Sequence, residues 1–412
     1  MAGKMTRKEF QEMIKKYPIY LDGATGSNLL KRGMPAGVCP EEWILEHREV
    51  LLGLQREFIE AGSNIIYAPT FSANAVKLKE YGLEDKIGRM NRELAAISKE
   101  AAGNRCLVAG DLTMTGEQLA PIGSMDFEEL IDIYKEQIAC IEEAGADLLV
   151  VETMMSLQES RAALLAAKEI CPDLPVMVTM TFEGDGRSLY GTDAATAAVV
   201  LESLGAAAIG ANCSTGPEQM AGIIRQMASV TRIPVIAKPN AGLPSLNEEG
   251  KTVYEMRPRE FAEEMQAVYE AGASIIGGCC GTTPEHIKKT RELCLSLPLP
   301  AVEKKQRTVI SSYSHAVEFG GRPVIIGERI NPTGKPRFKQ ALKEHDLNYI
   351  LNVAAAQQES RADVLDVNVG LPGIDETKMM EDVVRELQSV VNLPLQIDTS
   401  SISAMERAMR LY

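Results

Sequence analysis

The sequence predicts an α/β fold: a (β/α)8 TIM barrel followed by the truncated beginning of a second TIM-type barrel. Three observations carry that expectation. Between residues 18 and 290, eight short apolar runs alternate with helix-like segments, the count and size of a (β/α)8 barrel. Each run ends in polar residues, as barrel strands do where their C-terminal ends build a site. The same grammar, strand then polar tip, returns after residue 322.

Residues 6–17 place Phe10, Met13, Ile14 and Tyr17 on one helical face, with Thr6 as its cap. The apolar runs follow at 19–21, 64–67, 106–109, 147–151, 175–179, 207–210, 234–237 and 274–276. Their length and Val/Ile/Leu content are those of strands buried on both faces. Helical patterns lie between them, as at Leu157–Ile170 and Arg259–Ala271. A doubly wound open sheet would need a Gly-x-Gly-x-x-Gly turn after the first strand, and none is there. The domain expectation is a barrel over 1–301, a charged linker over 302–321 and an incomplete barrel over 322–412.

At 412 residues, with 45% hydrophobic and 24% charged residues, the chain is a globular protein long enough for two domains. No apolar run approaches the ~20 residues that span a bilayer, and the first ten residues contain no signal-peptide core. A net charge of −14 disfavours nucleic acid as a partner, because phosphate is repelled. Eight cysteines, widely spaced apart from one vicinal pair, do not form a secreted disulfide framework. The expected location is the cytoplasm, with no membrane partner.

The strand tips carry the chemistry. In order they read Asp22-Gly23, Pro69-Thr70, Asp111, Glu152-Thr153, Thr181, Asn212-Cys213, Lys238-Pro239-Asn240 and Cys279-Cys280. Carboxylates and thiols brought to one rim by buried strands need a ligand, metal or hydrogen bond to offset their desolvation. Cys279-Cys280 sits between the last strand and a helix start, Thr283-Pro284-Glu285, and Cys213 occupies the matching place after the sixth run. Three soft anionic ligands suit tetrahedral Zn2+ with a fourth position open, where a substrate thiol can lose its proton. A vicinal disulfide, or free cysteines packed as small hydrophobes, would explain the Cys-Cys pair alone. Its shared rim with Cys213 favours the metal. Cys39, Cys106, Cys140, Cys171 and Cys294 fall at positions better explained by packing or exposure, and the four histidines at surface or capping positions.

Residues 18–290 resemble the homocysteine S-methyltransferase family, through Leu-Asp-Gly-Ala-Thr-Gly, Ala-Pro-Thr-Phe, Val-Glu-Thr, Gly-Ala-Asn-Cys-Ser and Gly-Gly-Cys-Cys-Gly-Thr-Thr-Pro-Glu-His-Ile. The resemblance implies zinc on Cys213, Cys279 and Cys280, with homocysteine sulfur joining as a ligand. It implies that Glu152 and the Asp22-Gly23 turn hold the amino acid's ammonium group, with Thr70 nearby. Asn240 is a further candidate for the fourth zinc position when substrate is absent. Capping of the following helices is the plainer role for Asp22 and Glu152.

Beyond the linker, Gly327-Glu328-Arg329-Ile330-Asn331-Pro332-Thr333-Gly334 is similar to the pterin-binding, methyltetrahydrofolate domain of the cobalamin-dependent methionine synthases. Val364-Leu365-Asp366-Val367-Asn368 and Ile397-Asp398 follow as further tips. The similarity implies a pterin held by Glu328, Asn331, Asp366, Asn368 and Asp398. Only three strand–helix beginnings fit before Tyr412, whereas a barrel needs eight, so a piece of a longer protein is expected. The implied reaction is methyl transfer from methylcobalamin, bound by another domain, to homocysteine, with 5-methyltetrahydrofolate as the methyl source. Betaine or S-methylmethionine as donor is the enzyme alternative. Zinc binding or thiol redox sensing is the non-enzyme one, and it leaves the rim carboxylates unexplained.

Overall fold

A computed structural model describes residues 5–247, 252–302 and 306–412. These fall into two compact units. The first runs up to Gly116 and resumes at Glu128; the second combines Glu117–Phe127 with Gln306–Tyr412.

Eight parallel strands form the first unit's sheet: β1 (Ile19–Tyr20), β2 (Ile65–Tyr67), β3 (Leu107–Leu112), β4 (Leu148–Met154), β5 (Val176–Met180), β6 (Ala208–Asn212), β7 (Val235–Lys238) and, after a small hairpin of β8 (Ser245–Leu246) and β9 (Thr252–Val253), β10 (Ala273–Ile276). The order β1-β10-β7-β6-β5-β4-β3-β2 is that of a barrel opened between β1 and β2. A parallel bridge from Leu21 to Ile65 joins those two edges, and the Asn64 N–H donates to the Tyr20 carbonyl at 2.6 Å. Closure leaves no sheet edge to pair with another chain.

The expected strands all form, within a residue or two at their starts and up to three at their ends. Near-continuous burial explains why they were readable: every residue of β5, β6, β7 and β10 is buried. The helix Leu157–Ile170 also forms as expected, capped by the Ser156 side chain. The first helix, Arg7–Ile14, begins in a Thr6/Glu9 capping box. Its Phe10 and Ile14 pack with Ile19, Leu21, Ile65, Tyr67, Val150, Ile236 and Ile275 in one apolar cluster. Tyr17 departs from the expected apolar face: the helix has ended by Lys15, and Tyr17 is 45% exposed.

Residues 302–321 differ from the expected linker. They contain an antiparallel hairpin of β11 (Thr308–Ser311) and β12 (Ala316–Phe319), in full register from Thr308–Phe319 to Ser311–Ala316. The Tyr412 hydroxyl donates to the Ser311 carbonyl at 2.7 Å, tying the hairpin to the last helix. Few apolar residues and a high charge hid it. The rest of the second unit is three parallel strands, β13 (Ile326–Ile330), β14 (Val364–Val367) and β15 (Leu395–Ile397), in sequential order with helices between and after them. This is the arrangement that opens a βα barrel. Among the described residues, no helix is long and apolar enough to cross a membrane.

Gly210 on β6 shows how tight the barrel wall is. A Cβ there would stand 2.0 Å from the Ile236 carbonyl oxygen on β7. Backbone cannot yield as a side chain can, so Gly210→Ala should destabilise the protein by about 2–3 kcal/mol. Denaturant unfolding measures this; a change below about 0.5 kcal/mol would contradict the packing described.

Candidate metal centre and active site

The C-terminal strand ends meet at one mouth, and the end of β7 lies between the two thiol-bearing elements. The Cys213 N–H donates to the Lys238 carbonyl at 3.0 Å, and the Cys279 N–H to that of Pro239 at 2.8 Å. The Ala241 N–H returns to the Cys280 carbonyl at 2.9 Å. Residues 238–241 thus tie the ends of β6 and β10 together. Cys213 and Ser214 follow β6 with φ of 61° and 57°, a left-handed backbone that non-glycine residues adopt at a cost. Beyond Cys280, Gly281 has φ +82°, and a Cβ there would fall 2.3 Å from Tyr254 Cβ. Glycine is required on both counts.

The three sulfurs of Cys213, Cys279 and Cys280 lie within 4.8 Å of one another, all partly buried, with Cys213 and Cys280 at 4.0 Å. Tetrahedral zinc with Zn–S bonds of about 2.3 Å spaces its sulfurs about 3.8 Å apart, so the residues present fit the metal with little movement. All eight cysteines are free thiols, and Cys279-Cys280 is not a vicinal disulfide. The cluster gives up its first proton easily: hydrogen bonds from Cys213, then Cys279, and behind them the Tyr254 hydroxyl, hold Cys280 down at about 3. The remaining protons are retained. The hydrogen bonds that Cys279 makes with Cys213 and Cys280 hold its thiol well above the usual range. Cys213 is drawn down by Cys279, but its bond to Cys280 and burial carry it up to about 11. Asn240, two residues past β7, is buried, and its Oδ1 has no hydrogen-bond partner among the described residues. A spare amide oxygen of this kind is an acceptor available to a cation.

Beside the thiols lies a buried charge cluster. Asp22 accepts the Tyr67 N–H on Oδ2 at 2.7 Å. Lys238 Nζ stands 3.4 Å from both Asp22 Oδ1 and Glu152 Oε2, and 3.6 Å from the centre of the Tyr67 ring. Burial raises both carboxylates above their ordinary range, with Lys238 opposing it. Burial alone would lower the lysine, yet Glu152, Tyr67 and Asp22 hold it well above its usual value. Asp111 is raised well above the ordinary carboxylate range, by burial and then by Glu152, and its Oδ1 has no partner among the described residues. Thr70 Oγ1 donates to the Asp111 carbonyl at 2.8 Å and accepts its N–H at 3.0 Å, fixing β3 against the tip of β2. Gly23 is held close: a Cβ there would lie 2.7 Å from Thr282 Oγ1. None of these carboxylates serves as the simple helix cap considered for Asp22 and Glu152.

The polar tips of the second unit form a separate group. Asn368 Nδ2 donates to Asp398 Oδ2 at 2.9 Å, and Gln396 Nε2 to Asp366 Oδ1 at 2.9 Å. Burial raises the Asp366 carboxyl, helped by Asp398 and Glu328. Glu328 itself is exposed and pairs with Lys335 at 3.4 Å. Asn331 turns into its own loop, where its Oδ1 accepts the Thr333 N–H at 2.9 Å.

Three side chains at the first mouth escaped role assignment from sequence. Lys238 stood in the rim but nothing local announced its two carboxylate partners. Asn212, whose Nδ2 donates to Thr153 Oγ1 at 2.8 Å, reads as an ordinary strand end. Tyr254 lies in a loop with no motif.

Residues 19–294 match the homocysteine S-methyltransferase family model, and residues 327–412 match that of pterin binding enzymes. The chain belongs to the homocysteine S-methyltransferase family. Within curated proteins, this family member is 30% identical to the methionine synthase of Mycobacterium leprae over 94% of its own length and 34% of that protein. The same identity and shares hold for the methionine synthase of Mycobacterium tuberculosis. The chain therefore spans about a third of the curated relatives it matches. Crystal structures of the Escherichia coli homocysteine methyltransferase share the fold. The metallated form superposes with a TM-score of 0.58 at 20% identity, covering 69% of this chain and 99% of that one. The oxidized form gives 0.58 at 20%, covering 68% and 98%.

Because hydrogen bonds within the cluster and burial hold Cys279 and Cys213 above the ordinary thiol range, zinc loading near pH 7 should release protons. Affinity should accordingly rise with pH through the neutral range. Calorimetry in buffers of different ionisation enthalpy reads the proton count; release of none would contradict the cluster as described.

Proposed function

We propose that the first unit methylates the sulfur of homocysteine to give methionine. The observation that carries this reading is the placement of three convergent thiols beside buried carboxylates at one barrel mouth. A substrate bearing both a thiol and an ammonium group matches the two halves of that mouth. Cys213, Cys279 and Cys280 would hold zinc, with Asn240 available to the remaining position. Zinc on thiolate ligands lowers the pKa of an incoming thiol while leaving its sulfur nucleophilic.

Asp22 and Glu152 receive the α-ammonium group, and Gly23 gives the substrate backbone room to approach. Thr70 keeps the Asp111 end of β3 in place behind them. The methyl donor in this reading is methylcobalamin, carried by a cobalamin-binding domain or supplied free. When bound, methylcobalamin would supply the methyl group to the homocysteine sulfur, with the Co–C bonding pair leaving on cobalt, and methionine would result. The second unit, through Asp366, Asn368 and Asp398 with Glu328 and Asn331 at its edge, contributes to binding 5-methyltetrahydrofolate, which remethylates the cobalamin. Its pterin-family match favours this donor over betaine or S-methylmethionine, which require no pterin module. In this reading the first task falls to the barrel expected over 1–301 and the second to the pterin part expected over 322–412.

The zinc-loaded chain should methylate homocysteine with free methylcobalamin, followed by the loss of methylcobalamin absorbance. Cys279→Ser and Cys213→Ser should each abolish turnover and zinc binding while leaving the circular dichroism of the barrel unchanged. Homocysteine methylation by the zinc-free protein at the same rate would sink this reading. Glu152→Gln should raise the KM for homocysteine at least about tenfold, since a charge-assisted hydrogen bond is lost.

A further inference from the structure

The carboxylates assigned to the substrate's ammonium are already engaged by an ammonium group of the chain itself. Lys238 ends β7, and its side chain is 3% exposed. Its stem runs past Gly277, where an added Cβ would come within 3.3 Å of Lys238 Cγ. Nζ reaches across the mouth to Asp22, just beyond β1, and Glu152 on β4, 3.4 Å from each. Those distances exceed the roughly 2.7–2.9 Å of a well-aligned charge-assisted bond. The Tyr67 ring, 3.6 Å away, covers one side of the cation. The lysine is therefore held by charge and a π face rather than by tight directional bonds. Asp111, whose Oδ1 lacks a partner among the described residues, adds an unused acceptor to the same cluster.

We propose that Lys238 is a built-in placeholder for the substrate's α-ammonium group, holding Asp22 and Glu152 in position before the amino acid arrives and giving way to it on binding. A lysine head and an amino acid's ammonium have the same charge and the same three N–H donors. Both cannot sit between the same two oxygens, because like charges at that range repel. The residue thus sets how much the ammonium contributes to substrate selection. This rests on the reading of Asp22 and Glu152 as the ammonium site.

The test compares homocysteine with 4-mercaptobutyrate, which keeps the thiol and carboxylate but lacks the ammonium. Calorimetry on the zinc-loaded protein gives the affinity ratio of the two ligands. Lys238→Met should raise that ratio about tenfold or more by freeing the ammonium position, with 4-mercaptobutyrate affinity and zinc content unchanged. Lys238→Arg, which keeps a cation there, should hold the ratio near wild type. Lys238→Gln replaces the methionine variant if the latter does not fold. The wild-type protein supplies a reading free of any variant: the 15N resonance of Lys238 Nζ should move on adding homocysteine and stay on adding 4-mercaptobutyrate. A ratio that is unchanged or falls, or an Nζ signal moved equally by both ligands, overturns the placeholder. Failure of wild-type protein to prefer homocysteine at all would instead overturn the ammonium assignment beneath it.

Discussion

The end of β7 is the constraint on which the active mouth depends. Because β7 lies between β6 and β10 in the sheet, its last residues can hydrogen-bond to both thiol-bearing strand ends at once. Those backbone bonds, 2.8–3.0 Å long, set the separation of Cys213 from Cys279-Cys280 before any ligand is present. The same four residues carry Lys238 toward the carboxylates and Asn240 into a buried position. A shift of one residue in the β6–β7 register would turn each of these side chains to the opposite face. Gly210, with no room for a Cβ against the Ile236 carbonyl, lets β6 and β7 approach in that register.

Two kinds of desolvated charge share the mouth and are handled differently. Three thiols lie close enough to share protons, so an anion forms readily while complete ionisation demands a cation of higher charge. The carboxylates of Asp22 and Glu152 are instead compensated by Lys238, an ammonium of the protein itself. In the proposed function, an amino-acid thiol would address both groups, its sulfur the first and its ammonium the second. Breaking either compensation leaves an uncompensated buried charge, which is why single substitutions here should act strongly on binding.

Much of this architecture was legible in the sequence because parallel strands buried on both faces are written as unbroken apolar runs. The runs 175–179 and 207–210, which form Val176–Met180 and Ala208–Asn212, are readable from composition, and the residues after each run mark the mouth. Adjacent cysteines followed by Gly-Thr-Thr-Pro make the thiol cluster readable. What escaped depends on contacts between distant parts of the chain. Lys238 finds Asp22 and Glu152, 216 and 86 residues away, and no local pattern encodes that. Tyr254 reaches Cys280 from a loop. The hairpin at 308–319 was hidden by charge, since a two-stranded ribbon with one buried residue, Val317, leaves almost no apolar signal. In the second unit, Asp366, Asn368 and Asp398 follow the strand-tip rule, whereas Asn331 is absorbed by its own turn.

Methyl transfer at this mouth requires three protein sulfurs to bind one zinc ion and leave a place for the substrate's sulfur. X-ray absorption at the zinc edge measures the ligand set directly, with and without homocysteine. Three sulfurs and one oxygen or nitrogen at about 2.0–2.3 Å should become four sulfurs when homocysteine is added. Two or fewer sulfurs in the resting protein, or a ligand set that homocysteine leaves unchanged, would contradict it.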